Sequence, residues 1–146
     1  MKVKDLMATP VITAHKEDTL HQAALKMLEK KVGCLPVIDD EGKLTGILSE
    51  SNFIAESHSI PFSRDHAPQL FGRWMDKSEI QKMYDEARNV RVKQIMTHNV
   101  ISLTEDQSIQ DLIDRLIKYG YYRYPVIRDD KPVGIVSKRD FLKLLV

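Results

Sequence analysis

The sequence predicts an α/β protein of the α+β type, in which two tandem β-α-β-β-α repeats pack with pseudo-twofold symmetry and flank a partly helical insertion. Three observations predict this architecture. The chain matches itself at a nearly constant offset, the spacing of apolar residues changes in the same order in each half, and a turn signal separates the last two strands of each half. One repeat of about 50 residues cannot bury both faces of its sheet, so the two repeats should fold as one unit.

The internal repeat is the most informative feature of the sequence. Matching segments lie 89 positions apart up to the hairpin turn and 88 positions apart after it, so the turns of the two repeats differ in length by one residue. Identities at a constant offset across both halves are hard to attribute to chance. The matching pairs are Val3–Met7 with Val92–Met96, Val11–Thr13 with Val100–Ser102, Pro36–Asp40 with Pro125–Asp129, and Gly46–Ser49 with Gly134–Ser137.

Each repeat gives the same predicted order of elements. In the first repeat, Val11–Thr13 is typical of a strand, and apolar residues at helical spacing follow an N-cap at Asp18 or Thr19. The remaining elements there are a helix over Leu20–Leu28, a hairpin of Leu35–Ile38 and Leu44–Leu48, and a short helix from about Asn52. Their counterparts are a strand at Val100–Ser102, a helix over Ile109–Ile117 between Ser108 and Gly120, a hairpin of Tyr124–Ile127 and Val133–Val136 around the turn Asp129–Pro132, and a short helix from about Asp140.

The repeats divide the chain into residues 1–56 and residues 90–146, with an insertion at residues 57–89. Ser78–Gln81 fits a capping box, so we expect a helix near residues 78–89. One face of this helix would carry Ile80, Met83, Tyr84 and Ala87. The preceding loop has too many apolar residues for a solvated linker, and we expect it to pack on the repeats or on a partner subunit. These apolar residues are Ile60, Phe62, Leu70, Phe71, Trp74 and Met75.

Composition and charge argue against several classes of protein. Lys and Arg total 22 against 21 Asp and Glu, so no long-range field attracts nucleic acid or an anionic membrane, and we expect neither as a partner. Cys34 is the only cysteine, which precludes an intrachain disulfide and favours a reducing compartment. No apolar run approaches the roughly 20 residues that span a bilayer, and the first residues lack the apolar core of a signal peptide. We therefore expect a cytoplasmic protein.

The repeated motifs resemble those of a CBS domain, and the tandem resembles a CBS pair, also called a Bateman module. The resemblance rests on the segments Met7–Val11 and Met96–Val100, on the strands at Pro36 and Pro125, and on two Gly-hydrophobic-hydrophobic-Ser-x-x-Asp/Asn segments. It covers nearly the whole chain except the insertion. The resemblance implies a regulatory sensor of an adenosyl ligand such as AMP, ADP, ATP, NAD or S-adenosylmethionine. It also implies assembly as a homodimer of pairs.

The resemblance further implies that Gly134–Asp140 is a ribose- and phosphate-binding motif. The segment leaves a strand and opens a helix, so its free N–H groups favour an anion. Asp140 can accept hydrogen bonds from ribose hydroxyls and Ser137 can donate to a phosphate, while Lys138 and Arg139 add positive charge. A Ser-x-x-Asp segment is also typical of a capping box, in which Ser137 and Asp140 satisfy the N–H groups of their own helix. Both arrangements can hold, one in the empty state and one in the bound state.

The expected adenine-binding wall, also implied by the resemblance, joins this motif from Thr97, Val100, Tyr121, Tyr122 and Pro125. Tyr121 and Tyr122 are placed either in the site, stacked on a purine, or in the core, whereas Tyr124 is expected in the core. Arg123 either reaches a phosphate or lies on a solvated face. A weaker second site is expected from the first repeat, where Asn52 replaces the aspartate and Glu50 replaces a lysine. Its residues would be Val11, Val32, Gly33, Pro36, Ser49 and Asn52.

Other chemistry finds little support in the sequence. The five histidines have no metal-ligand spacing, and the clustered aspartates fall at hairpin turns, so we expect no metal site, no required cofactor and no catalysis. The leading hypothesis, which the resemblance implies, is a regulatory module that senses AMP, ADP or ATP, or else NAD or S-adenosylmethionine, in the cleft between the two repeats and acts on a partner protein. The alternative is a scaffold that dimerises or docks on a partner without affinity for a small molecule.

Overall fold

The structure is a computed structural model in which residues 1–54, 77–121 and 123–146 are described. The predicted fold class and the tandem arrangement are confirmed. Each repeat contains a three-stranded sheet, of order β1-β2-β3 in the first repeat and β4-β5-β6 in the second. In both sheets the first strand is parallel to the central strand, and the third is antiparallel to it.

The elements follow one another in the same order in both repeats. In chain order they are α1 (Val3–Leu6), β1 (Ala14–His15), α2 (Leu20–Lys30), β2 (Cys34–Ile38), β3 (Leu44–Ser49), α3 (Glu50–Ile54), α4 (Lys77–Arg88), α5 (Val92–Ile95), β4 (Leu103–Thr104), α6 (Ile109–Tyr119), β5 (Arg123–Arg128), β6 (Lys131–Ser137) and a 3₁₀ helix (Lys138–Leu145). Outside the described residues lie Tyr122, the loop residues Ile60, Phe62, Leu70, Phe71, Trp74 and Met75, and the side chains of Ile80, Met83 and Tyr84.

Local sequence sets the ends of the two longer helices of the repeats. The hydroxyl oxygen of Thr19 accepts a hydrogen bond from the Gln22 N–H at 3.2 Å, so Thr19 rather than Asp18 is the N-cap of α2. Ser108 caps α6 in the same way through the Asp111 N–H at 3.1 Å. Gly120 ends α6 with a φ of 70°, a left-handed conformation that glycine adopts without steric cost.

The first strand of each repeat begins later than the sequence predicts. Strands were expected at Val11–Thr13 and Val100–Ser102, but β1 and β4 comprise the two residues that follow each of these segments. The parallel pairing starts with Ala14 opposite Val37 and with Leu103 opposite Val126, in each case one residue after a proline of the central strand. Proline has no N–H to donate to a ladder, and the parallel pairing begins at the residue after it. Pairing with the central strand, and not local β propensity, therefore sets where β1 and β4 begin.

The second hairpin turn is shorter than predicted. Arg128 pairs with Lys131, so the turn consists of Asp129 and Asp130 alone, whereas Lys131 and Pro132 belong to β6. Both aspartates have positive φ, 51° and 64°, as a two-residue hairpin turn of the I′ type requires. Aspartate tolerates this left-handed conformation better than most residues, which accounts for the turn without a glycine.

The two repeats exchange their first helices. Val3 and Leu6 of α1 are buried in the core of the second repeat, with Leu103, Leu112 and Tyr124 among their neighbours. Reciprocally, Val92 and Met96 are buried in the core of the first repeat. Equivalent backbone hydrogen bonds fix both helices: Val3 N–H donates to Gln107, and Val92 N–H donates to Asp18. The core of each repeat is therefore completed by a segment that belongs, in sequence, to the other.

Two glycines permit this exchange at the sheets. The segment after α1 pairs with β6 through Ala8 and Ile135, and the segment after α5 pairs with β3 through Thr97 and Ile47. A Cβ placed on Gly46 would lie 2.6 Å from Met96 Sδ and 2.8 Å from the Thr97 carbonyl oxygen, and Gly134 faces Met7 and Ala8 in the same way. Only glycine allows so close an approach of the exchanged segments.

Candidate functional site

A cavity of about 300 Å³ lies where the exchanged segment of the second repeat meets the sheet of the first. Both repeats contribute to its wall. The first repeat supplies Cys34, Ile47, Ser49 and Ser51, and the second supplies Thr97, Asn99, Val100, Ile101, Gly120, Tyr121 and Arg123. Its volume falls at the lower end of the range for small-molecule sites.

The pairing of Thr97 with Ile47 builds this wall. Ile47 N–H donates to the Thr97 carbonyl at 3.1 Å, and Thr97 N–H donates back to Ile47 at 2.9 Å. Ser49 lies two residues along β3 from Ile47, at the end of the strand, so the pairing holds the start of the second repeat against the serine motif of the first. The cavity therefore forms between the repeats and not within either one.

The hydroxyl groups of Ser49, Ser51 and Thr97 line the cavity, and hydrogen bonds join two of these residues to the Asn52 side chain. The N–H and the hydroxyl of Ser49 both donate to Asn52 Oδ1, at 2.8 and 3.1 Å, and Ser49 Oγ lies 2.8 Å from Ser51 Oγ. The Asn52 side-chain amide donates to Thr97 Oγ1 at 3.3 Å, which links the motif of the first repeat to the second repeat. These groups offer both donors and acceptors to a polar ligand.

An aromatic ring and aliphatic side chains also line the cavity: Tyr121 with Ile47, Val100 and Ile101. Tyr121 follows the glycine that ends α6 and is 50% exposed, so its ring is available for contact. It stacks on Tyr119 with 6.3 Å between ring centroids and meets the edge of Tyr124 at 6.2 Å. Tyr124 is fully buried and its hydroxyl donates to the Arg115 carbonyl, which confirms its expected place in the core.

Arg123 and Cys34 give the cavity its electrostatic character. Arg123 is the one charged side chain in the described lining, and its sign is positive. Burial raises the pKa of the Cys34 thiol to about 11, with smaller opposing effects of Arg123, which lowers it, and of Glu50, which raises it. The thiol is therefore protonated at neutral pH, and the wall there is neutral and weakly polar.

The structure groups the predicted site residues differently from the sequence expectation. Thr97, Val100 and Tyr121 share the cavity with Ser49, and not with the second-repeat motif. The reason is the exchange of segments, which brings the start of each repeat against the β3 or β6 strand of the other. Pro36 and Pro125, expected in the two adenine walls, are both buried within the central strands.

The second-repeat motif takes the capping arrangement. Asp140 is buried, and its carboxylate accepts hydrogen bonds from the Ser137 N–H at 2.7 Å and the Ser137 hydroxyl at 3.1 Å. Its other oxygen lies 2.8 Å from Lys143 Nζ, which also donates to the Leu6 carbonyl. Lys138 and Arg139 are exposed. The Asp140 carboxylate is thus engaged by its own helix segment, and Lys143 links it to the exchanged helix α1.

The remaining residues of the expected weaker site are dispersed. Val11 lies in a shallow groove along α2 with Thr13 and Lys26. Val32 and Gly33 line an open groove on the other side of α2, with Glu50 and Phe53. Sequence reasoning grouped these residues by repeat, and it missed six residues of the lining: Cys34, Ile47, Ser51, Asn99, Ile101 and Gly120. The pairing across repeats is a long-range contact that leaves no local signal in the sequence.

Two further features can be checked in the described part of the chain, a group of metal ligands and a membrane-spanning helix. Among the described residues, no three His, Cys, Asp or Glu side chains lie close enough to hold a metal ion. His15 instead contacts Asp40, with 2.7 Å between Nε2 and Oδ1. No helix within residues 1–54, 77–121 and 123–146 has the length and apolarity to cross a membrane.

Taken together, the exchanged cores and the shared cavity define a tandem-repeat module with a ligand-sized cavity between its repeats. The sequence matches the CBS domain family over residues 3–59 and 92–146. The chain therefore belongs to the CBS domain family and carries two copies of the domain.

Solved structures share this fold over the whole chain. The CBS domain of a CBS domain-containing membrane protein from Sphaerobacter thermophilus is 34% identical, with a TM-score of 0.79, and the match covers 100% of this chain and 88% of that one. The CBS domain pair of protein MJ0100, in complex with 5′-methylthioadenosine and S-adenosyl-L-methionine, is 27% identical with a TM-score of 0.70, covering 99% and 95% of the two chains.

A relative of known activity matches over only part of its length. The L-aspartate semialdehyde sulfurtransferase of Methanocaldococcus jannaschii is 30% identical over 144 residues, which is 97% of this chain but 23% of the relative. This chain therefore spans less than a quarter of that enzyme.

Proposed function

We propose that this chain is a regulatory module that binds an adenine nucleotide, AMP, ADP or ATP, in the cavity between its repeats. The observation that carries the proposal is the convergence of a half-exposed tyrosine, several hydroxyl groups and one guanidinium on a single cavity. An apolar cleft with a few convergent polar groups is the usual form of a small-molecule site.

Each part of a nucleotide has a suitable partner in this cavity. Tyr121 and Val100 offer a flat aromatic face and an aliphatic surface for the purine. The Ser49 and Thr97 hydroxyls offer hydrogen bonds to the ribose. Arg123 offers a charge-assisted, forked contact to a phosphate.

The sign of the charge favours a nucleotide over a sulfonium ligand. The related MJ0100 pair has been solved with S-adenosyl-L-methionine, which carries a positive sulfur, and with the neutral 5′-methylthioadenosine. In the present chain the charged side chain of the described lining is Arg123, which attracts a phosphate and repels a sulfonium. A sensor of cellular nucleotides would bind with micromolar to millimolar affinity, or about −8 to −4 kcal/mol.

A regulatory role without catalysis is consistent with this chemistry. The cavity holds serines and a thiol whose pKa is raised, but none of the cavity-lining residues is a general base that would activate them. We propose that the module requires no cofactor, works in the cytoplasm and transmits occupancy to a partner protein. The activity of the sulfurtransferase relative is not carried over to this chain.

We also propose that the module is a homodimer. Leu28 on α2 and Ile117 on α6 are 77% and 79% exposed, and they occupy equivalent positions in the two repeats. Two such residues on pseudo-symmetric helices suit an isologous interface, in which the same surface serves both subunits. Sedimentation of wild type and of Leu28→Glu would test this, with a monomeric wild type as the contrary result.

Isothermal titration calorimetry with AMP, ADP, ATP, NAD and S-adenosylmethionine tests the nucleotide proposal. Tyr121→Ala should weaken AMP binding about 5- to 100-fold, the range expected for loss of one base-stacking contact. Tyr121→Phe keeps the ring and should bind within about twofold of wild type. Absence of saturable binding to every compound would reject the proposal and leave the dimerisation or docking scaffold, which the exposed Leu28 and Ile117 favour.

A further inference from the structure

Glu50 lies next to the cavity but contributes nothing to its lining. It is the first residue of α3, directly after Ser49, and its side chain lines the neighbouring groove with Val32 and Phe53. Its Oε1 atom is 4.0 Å from a guanidinium nitrogen of Arg123. Arg123 is therefore shared between the cavity, which it lines, and a carboxylate outside the cavity.

The backbone at Gly33 provides the place where these two side chains meet. Glu50 N–H donates to the Gly33 carbonyl at 3.1 Å, which fixes the start of α3 beside this residue. A Cβ at position 33 would contact both Glu50 Oε1 and the Arg123 guanidinium. The absence of a side chain at Gly33 thus leaves room for the carboxylate and the guanidinium to approach each other.

This ion pair is weak enough to be displaced. The side chains are 69% exposed for Glu50 and 39% exposed for Arg123, and exposed pairs change an equilibrium constant by no more than about fivefold. A nucleotide phosphate is largely a dianion at pH 7.5 and offers three acceptor oxygens. It is therefore a stronger partner for a guanidinium than a single solvated carboxylate.

The Glu50–Arg123 ion pair occurs at one of the two positions that the internal repeat makes equivalent, and it has no counterpart at the other. At the offsets of the internal repeat, Glu50 corresponds to Lys138, and Arg123 corresponds to Cys34. The fold therefore does not require a carboxylate and a guanidinium at these two positions. Only one of the two equivalent positions combines a guanidinium in the cavity with a carboxylate behind it.

We propose that Glu50 is an internal competitor for the phosphate: it holds Arg123 when the cavity is empty and releases it when a nucleotide binds. This proposal rests on the nucleotide function proposed above. Glu50 is a positioning residue that lowers the affinity for ligands with a phosphate and leaves the affinity for uncharged nucleosides unchanged. It would thereby set the concentration at which the module responds.

The experiment compares AMP with adenosine on four proteins: wild type, Glu50→Gln, Arg123→Gln and the double variant. Glu50→Gln should bind AMP about two- to fivefold more tightly than wild type and adenosine equally well. In the Arg123→Gln background, Glu50→Gln should have no effect on AMP. Raising the salt concentration should shrink the Glu50→Gln effect, since it depends on exposed charges.

Glu41→Gln is the matched control. It removes the same charge from the β2–β3 turn, where Glu41 pairs with Lys43 at the far end of the hairpin from Ser49. It should bind AMP as wild type does.

The outcomes separate the two proposals. If wild type and Glu50→Gln bind neither AMP nor adenosine, the nucleotide function fails. If wild type binds AMP but Glu50→Gln binds it no more tightly than Glu41→Gln does, or if the gain persists without Arg123, the competitor role fails alone.

Discussion

Replacing Gly46 with alanine tests the contact that both completes the core and shapes the cavity. The added Cβ would lie 2.6 Å from Met96 Sδ and 2.8 Å from the Thr97 carbonyl oxygen. Ordinary carbon contacts are about 3.5–4.0 Å, so the neighbours must retreat by nearly 1 Å. The sulfur can rotate away, but the carbonyl belongs to backbone that Ile47 N–H holds at 3.1 Å.

The expected cost follows from two opposing effects. Overpacking of this kind costs about 1–3 kcal/mol. Alanine in a strand recovers about 0.5–1 kcal/mol relative to glycine, because the unfolded chain has less freedom to lose. The difference spans about 0–2.5 kcal/mol, so the free energy of unfolding should fall by about 1 kcal/mol, which corresponds to a decrease in Tm of about 2–4 °C for a chain of this size. Because Thr97 must move, AMP binding should weaken as well.

Differential scanning calorimetry and AMP titration of Gly46→Ala would measure both effects, with Gly33→Ala as the control for stability. At Gly33 the atoms nearest to a Cβ are the ends of the Glu50 and Arg123 side chains, which can turn aside. The control should keep its Tm within about 1 °C, since its substitution displaces no backbone. Equal Tm values for the two variants would refute the argument that the exchanged segment packs against Gly46.

Two further predictions concern the exchanged helix and the buried thiol. Leu6→Ala should lower the free energy of unfolding by about 2–5 kcal/mol, because Leu6 is fully buried. Hydrogen exchange should then show loss of protection first in β4–β6 of the second repeat, whose core Leu6 completes; first loss in β1–β3 would contradict the exchange. Alkylation of Cys34 should accelerate about tenfold per pH unit from pH 7 to pH 10, since burial raises its pKa to about 11 and only the thiolate reacts. A plateau near pH 9 would show an ordinary thiol, and failure of saturating AMP to slow the reaction would contradict the proposal that AMP binds in the cavity that Cys34 lines.

The sequence predicts the helices of the repeats well because their signals are local. Thr19, Ser108 and Gly120 act on neighbours within four residues, and each marks a helix end in the structure. The position of β1 is different in kind, since Ala14 is in a strand through its pairing with Val37, a residue far along the chain. Its own β propensity is lower than that of the three residues before it, so pairing prevails over local preference.

The candidate site could be predicted in its residue types but not in its grouping. Tyr121, Thr97 and Ser49 all belong to motifs that the sequence singles out, and each lines the cavity. The exchange of α1 and α5 determines which strand start faces which serine motif. The internal repeat of the sequence does not predict this exchange. A pattern that occurs twice identifies the equivalent parts but not whether they pair within a repeat or across repeats.

The exchange also explains why the surroundings of the Ser49 motif and of the Ser137 motif offer different groups to a ligand. The cavity combines the Ser49 motif with Thr97, Asn99 and Tyr121, whose counterparts in the first repeat are Ala8, Pro10 and Val32. Ala8 pairs with Ile135 as Thr97 pairs with Ile47, so a residue without a hydroxyl takes the place of Thr97 beside the second serine motif. The carboxylate of Asp140, which the resemblance implies for ribose binding, therefore follows the strand that pairs with Ala8, and it is engaged with Lys143.

The segment that carries Thr97 instead faces Asn52, whose side chain is a neutral amide. Because an amide forms weaker hydrogen bonds than a carboxylate, a nucleotide bound as proposed would gain most of its affinity from stacking on Tyr121 and from a phosphate contact with Arg123. Affinity there would consequently depend on the charge of the ligand more than on its ribose, and this is the condition under which a competing carboxylate at Glu50 has a measurable effect.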